Sequence, residues 1–434
     1  MNLNAIELGE RIEFERRAMS ESLRRAEYDL FIRQEANFYS KIIKCIETAI
    51  HYERCYSALE DLGARYGDIL ASNISQIPKR SDTFKVCYLL PNIDNDLAHI
   101  EFLYHVLKFH SPASGLQITV AGYSVDNRPP RSAYLSRLAS ERRISWIKIP
   151  DSHAGRVSFL RFFLEHGFSQ LIVYSVPIQL GSWIRALGPS MVTWVTTKFE
   201  LSAFKELKNR VSFSGSVVSQ TEPKTKWRRS TAAISRESVK TFTPLPEPRN
   251  RLITINREEK IKTPEFLDAI VRILRAQPAA TFAWTGCLRD VVIDEYFRRE
   301  GVEDRCFFLG WVDPQCTLGR YDVFLDTYGL SGVVATQAFC GGMPTVFFRN
   351  SRAWVEMRES DLDGVNGLPR NRILAGSVDA YADNVLELIN NPKIYLARVS
   401  AQRELAEKVF FNEASMYQSH IAIILSIVTE SGGL

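Results

Sequence analysis

The sequence predicts an α/β protein: two parallel-sheet halves behind a helical amino-terminal region. Three observations lead there. Short apolar runs bounded by turn residues, such as Phe84 to Leu90, Gln170 to Tyr174, Thr281 to Trp284 and Val323 to Leu325, have the unbroken hydrophobicity of strands covered on both faces. Helical stretches follow several of these runs, which is the βα alternation of a parallel sheet. The chain has 434 residues and 45% apolar content, enough to bury two large cores.

In chain order, residues 1–80 come first. No proline precedes Pro78, and Ile6, Met19, Leu23, Phe31, Leu59, Leu62 and Tyr66 recur near helical spacing, so two or three helices are expected. No 34-residue repeat is visible. A lid over the first sheet and an arm for packing, oligomerisation or acceptor binding are both open roles.

The first α/β half is expected over residues 81–245. Its strand Phe84–Leu90 runs into a polar loop, Pro91 to His99, and then a helix from Ile100 to Phe109. Open α/β sheets place ligands at such carboxyl ends, so Asp94, Asp96 and His99 are candidate functional residues. Either aspartate could equally cap the helix, and His99, one helical turn from Leu103, could equally be a packed side chain. The stretch Ser212 to Pro248 is rich in Ser, Thr, Lys and Pro and reads as the link between halves.

The second half is expected over residues 246–395, with further helices at 396–434. A polar strand-end segment, Ile255 to Ile261, precedes a helix at Pro264–Ala276 and a strand at Thr281–Trp284. Strands at Phe307–Leu309 and Val323–Leu325 then lead to the turn Tyr328–Gly332. Val333 to Cys340 reads as a short helix, ended by Gly341–Gly342 and barred from continuing by Pro344. A helix whose first turn follows a Ser-Gly loop presents unpaired N–H groups and its positive dipole end, which suits a diphosphate. Thr345 to Phe348 restarts a strand, and residues 379–428 read as helical.

Residues 255–261 and 305–348 together resemble the carboxy-terminal half of GT-B nucleotide-sugar glycosyltransferases, and specifically the O-linked N-acetylglucosamine transferases. That resemblance implies two Rossmann-like domains facing a central cleft, and an inverting transfer from a nucleoside diphosphate sugar, with a UDP-linked donor expected, to a protein or glycan acceptor. It implies donor contacts from Asn256, Lys260, Val312, Asp313, Ser331, Gly332, Val333, Val334 and Gln337, with Lys260 on the diphosphate and the backbone of Val312 and Asp313 on the base. It also implies an acceptor-side base among Asp96, Asp94 and His99. The chain departs from the family in several places. Val334 and Ala335 stand where the family has threonines, so phosphate contacts there fall to the backbone. Ala338 stands where the family has an acidic ribose partner, and Gln337 is the residue able to replace it. Thr196 to Glu200 replaces an acceptor-side loop and includes Lys198, a candidate phosphate contact.

Composition narrows the remainder. A net charge of +4 gives no nucleic-acid footprint. The basic run Lys224 to Arg229 reads mainly as a solvated loop and leaves peripheral membrane contact open. Seven dispersed cysteines lack zinc or disulfide spacing, and with no evident signal peptide a reducing cytoplasm is expected. No apolar run reaches transmembrane length. Asp94-Asn95-Asp96 and Asp361-Leu362-Asp363 match a short acidic metal pattern that arises often by chance, and neither a metal nor a cofactor besides the donor is expected. An epimerase with the same plan, or a non-catalytic binding scaffold, remain alternatives.

Overall fold

The computed structural model describes residues 5–41, 49–74, 83–93, 98–124, 131–141, 143–175, 179–196, 199–213, 217–218, 227–230, 233–327, 333–348 and 374–431. It divides into two compact units: Met1–Thr231 with Glu413–Leu434, and Ala232–Asn412. The expected 81–245 half therefore ends earlier, and the last helix returns to the first unit.

The first unit holds strands β1 (Phe84–Leu90), β2 (Leu116–Ser124), β3 (Ser145–Pro150), β4 (Gln170–Tyr174), β5 (Val192–Thr196), β6 (Phe199–Glu200), β7 (Asn209–Phe213), β8 (Val217–Val218) and β9 (Arg228–Ser230). Seven of them form one sheet in the order β3-β2-β1-β4-β5-β7-β9, with every neighbouring pair parallel. β6 and β8 pair separately. The boundary between the units falls inside the expected link from Ser212 to Pro248, but that stretch also contains β8 and β9, and β9 is an edge of the main sheet. Three residues with two arginines carry no hydrophobic strand signal. The strand is held from outside, Arg228 donating to Glu430 and Ser426 on the returning helix Glu413–Glu430.

The amino-terminal helices Ala5–Arg24, Tyr28–Lys41 and Ala49–Ser72 belong to this unit. Ala49–Ser72 crosses Leu180–Leu187 at close range, where a Cβ at Gly67 would lie 2.6 Å from both the Arg185 Cβ and the Ser182 carbonyl oxygen. Its polar face is also engaged: Glu53 accepts from the Ser202 N–H and hydroxyl, and Asp68 from Arg185. These contacts favour the lid reading of residues 1–80.

Beneath helix Tyr28–Lys41 lies a buried polar cluster at the carboxyl edge of the first sheet. Arg156, from the helix after β3, donates to Gln179 Oε1 at 2.8 Å and to Asp151 at 3.1 Å, and stacks on Tyr123 near the end of β2. Tyr123 also donates to Gln179 Oε1, at 2.7 Å. Glu35 reaches this cluster while only 7% exposed. Burial pushes its carboxyl up to about 7, against the opposing pull of Arg156 and hydrogen bonds from Gln179.

The second unit holds β10 (Arg251–Thr254), β11 (Thr281–Trp284), β12 (Cys306–Phe308), β13 (Val323–Leu325), β14 (Thr345–Phe348) and β15 (Leu374–Ala375), all parallel, in the order β12-β11-β10-β13-β14-β15. Helix Pro264–Ala276 turns Phe266, Leu267, Ile270, Val271, Ile273 and Leu274 inward at i, i+3, i+4 spacing. Tyr381 and Tyr395, on helices Val378–Asn390 and Pro392–Leu405, donate to the carbonyls of Asp326 and Asp322 and so pin both ends of β13. No helix among the described residues is long and apolar enough to cross a membrane.

Glu35 gives a pH test of this packing. A carboxyl whose folded pKa is raised supports folding below its unfolded pKa and progressively loses that support as pH rises through about 7. Glu35→Gln should therefore match the parent in urea denaturation at pH 4.5 and exceed it at pH 8 by about 1–3 kcal/mol. A parent more stable than the variant at pH 8 would show that the Arg156 attraction outweighs burial.

Candidate active site at the carboxyl edge of the second sheet

Strand order sets where a ligand can enter the second unit. From β10 the chain adds β11 and then β12 on one side, and returns with β13 on the other. Open α/β sheets of this order bind ligands in the crevice outside the carboxyl ends of the strands that flank the reversal, here β10 and β13.

The loop after β10 carries Asn256 and Lys260. The Thr285 hydroxyl clasps the Asn256 backbone, accepting from its N–H at 3.1 Å and lying 3.2 Å from its carbonyl oxygen. The Asn256 side chain donates to Thr254 Oγ1 at 3.3 Å. Lys260 follows, half-buried, in the single helical turn Glu258–Ile261, which the fully buried Ile261 anchors.

On the other side of the crevice, β13 ends in Asp326 and Thr327, both fully buried. Thr327 Oγ1 has no hydrogen-bond partner among the described residues. Helix Val333–Gly341 begins after the turn, with Val333 exposed, Val334 and Gln337 half-buried and Ala338 buried at 2% exposure. Gln337 is therefore the more accessible of the two candidates for the ribose. Ser331 and Gly332 lie outside the described residues. The far end of this helix is fixed by buried Gln402, which donates to the Phe339 and Met343 carbonyls and accepts from the Thr345 N–H. Of the two glycines expected there for positive φ, only Gly342 has it, at 89°. Gly341 answers to space instead, since a Cβ would meet the Lys240 carbonyl oxygen at 2.4 Å.

The loop after β12 carries Val312 and Asp313. Val312 packs against the core of the unit. Asp313 is exposed and caps the turn Pro314–Thr317, accepting from the Gln315 N–H at 2.9 Å. Hydrogen bonds from Cys316 and from that N–H hold its carboxyl below the usual range. The side chain is thus occupied.

In the first unit the equivalent strand-order reversal falls between β1 and β4. His99 lies just past the β1 loop, in helix Ala98–Leu107. Burial pulls its imidazole down to about 4, opposed by a hydrogen bond with the Asn92 backbone, and its Nε2 is buried without a partner among the described residues. The ring is neutral at physiological pH. Asp94, Asp96, Lys198 and the Asp361-Leu362-Asp363 triplet lie outside the described residues.

Sequence reasoning missed Thr285, Glu258, Lys262 and Asp290, which hold the β10 loop, and the Glu35–Arg156–Gln179 cluster. Their partners are distant in sequence, so no local pattern marks them.

No protein-family model and no curated protein matches the chain. Solved structures do. A variant of the O-GlcNAc transferase from Thermobaculum terrenum superposes with a TM-score of 0.62 at 16% identity, covering 97% of this chain and 84% of that one. HepE from Anabaena, solved in complex with UDP, gives 0.55 at 15% identity over 79% of this chain and all of its own. The pneumococcal O-GlcNAc transferase GtfA, in complex with UDP and GlcNAc, gives 0.52 at 10% identity over 80% of this chain and all of its own. The likeness in chain path, with two wholly parallel sheets and a strand-order reversal in each, places this protein in the GT-B fold of those glycosyltransferases.

Proposed function

We propose that the protein is a glycosyltransferase that moves a sugar from a nucleoside diphosphate donor, UDP-linked, to a hydroxyl or amide of a protein or glycan acceptor, with inversion and without a metal. The observation that carries this reading is the strand-order reversal at β10 and β13, where the segment bearing Lys260 follows β10 and helix Val333–Gly341 follows β13. A departing diphosphate needs fixed positive potential, and a lysine with a helix amino terminus supplies it without a cation. UDP bound to HepE and to GtfA, on the same fold, supports the choice of nucleotide.

Within that reading Lys260 neutralises the diphosphate, and the backbone of residues 331–334 donates to it. Gln337 and Asn256 meet the ribose and the diphosphate side, and the Val312 and Asp313 backbone meets the base. His99 is the acceptor-side base, with Asp94 or Asp96 beside it. A neutral imidazole whose buried Nε2 has no partner among the described residues can accept a proton. Inversion needs this single base and no covalent intermediate.

Isothermal titration with UDP, GDP and CMP tests the donor site. UDP should bind selectively, and Lys260→Ala should abolish most of that binding and, in turnover, raise the barrier by about 2.7–4 kcal/mol. Equal binding of no nucleotide by parent and variant would sink the reading and favour a scaffold, while donor turnover without acceptor would point to an epimerase.

The base assignment has its own readout. His99→Ala should lower kcat by about 100-fold or more while UDP affinity holds. Because the ring stays neutral down to about pH 4, the parent's kcat should show no acid limb near pH 6.5 that this substitution removes. Unchanged kcat in His99→Ala would make the residue a packing histidine.

A further inference from the structure

We propose that Glu258 and the Lys262–Asp290 pair are positioning residues that fix Lys260 at the crevice; the inference rests on the donor-site reading above. The helix that carries Lys260 is one turn long, Glu258–Ile261, and its Arg257 cap makes no side-chain capping bond. A single turn does not hold itself, because helix nucleation is unfavourable. Something outside it must set where Lys260 points.

Two ties do so, one on each side of the lysine. Two residues before it, Glu258 Oε2 accepts from the Cys287 N–H at 3.1 Å. The approach depends on Gly286, because a Cβ there would stand 2.7 Å from that same oxygen. Two residues after it, Lys262 Nζ donates to Asp290 Oδ2 at 3.1 Å, with the two side chains 13% and 15% exposed. The second Asp290 oxygen accepts from the Val292 N–H at 2.9 Å and caps helix Val291–Arg299, so this tie is anchored to a longer element. With the Thr285 clasp on Asn256, the whole β10 loop is fastened to the loop after β11.

Charge explains why a carboxylate is tolerated so near a proposed diphosphate contact. Glu258 is committed to a backbone N–H, a charge-assisted bond that fixes the anion toward the β11 loop. A loose glutamate there would compete with the diphosphate for Lys260. Preorganising the cation in this way lets it meet the developing charge without reorganisation.

A double-mutant cycle on the intact chain, read by titration with UDP and with UMP, tests the idea. Glu258→Ala should weaken UDP about 10-fold while UMP affinity and the thermal midpoint stay near the parent's. Glu258→Gln keeps an acceptor oxygen and should restore most of the affinity. Lys262→Met, which cuts the other tie, should behave like Glu258→Ala. In a Lys260→Ala background, Glu258→Ala should cost nothing further. Full additivity in that background, equal loss of UDP and UMP, or parent-like UDP binding by Glu258→Ala would each overturn the proposal while leaving the donor site standing. A parent that binds neither nucleotide overturns both.

Discussion

A wholly parallel sheet obliges the chain to return over one of its faces after every strand, because no tight turn can join parallel neighbours. Both sheets of this protein obey that constraint along their full width. Helices therefore cover the sheets, the central strands are buried on both faces, and polar chemistry is displaced to the strand ends. Strand order reverses between β1 and β4 and again between β10 and β13, the places where open α/β sheets bind ligands. Asn256 and Lys260 follow β10, Gln337 lies on the helix after β13 and His99 follows β1, at the strands flanking those reversals.

Strand ends are also where backbone groups run out of partners, and the chain spends side chains on them. Thr285 serves the Asn256 backbone, Glu258 the Cys287 N–H, Gln402 the carbonyls ending helix Val333–Gly341, and two tyrosines the carbonyls flanking β13. All but the exposed Glu258 bond are buried or half-buried, and loss of any of those would strand a polar group at about 1–3 kcal/mol. These bonds tie loops that a ligand must find preorganised, so fold stability and site geometry share the same atoms.

The extent to which the fold was legible follows from where the signal resides. Pro264–Ala276, Thr281–Trp284, Val323–Leu325 and Thr345–Phe348 coincide with the expected elements because each has the local periodicity or unbroken apolarity of its class. β3 gave no such signal: Ser145–Pro150 is an edge strand with exposed Ser145 and Trp146, and its pattern is that of a surface. β9 depends on a helix some 200 residues away. At the site, motif resemblance pointed to Lys260, and the expected turn at Tyr328–Gly332 lies outside the described residues. The ties that set Lys260 were not legible, since Glu258 and Cys287 lie 29 residues apart and Lys262 and Asp290 lie 28 apart. Such pairs become visible only once β10 and β11 are placed side by side.

The two units treat charge at their strand ends in opposite ways, and the proposed reaction gives that contrast a reason. In the second unit, Lys262 is paired with Asp290, Glu258 with a backbone N–H, and the crevice between β10 and β13 carries a lysine and a helix amino terminus. A fixed positive field suits a leaving group that gains charge. In the first unit, burial pulls the His99 imidazole down to about 4 and pushes the Glu35 carboxyl up to about 7, so desolvation favours the uncharged form of each. A base must begin unprotonated to take a proton from the acceptor, which for an imidazole is the neutral form, and a neutral histidine does not compete with the donor's phosphates for cations. Desolvation can make that difference: the first unit draws Glu35 and His99 out of water, and the second leaves Lys260 half-buried.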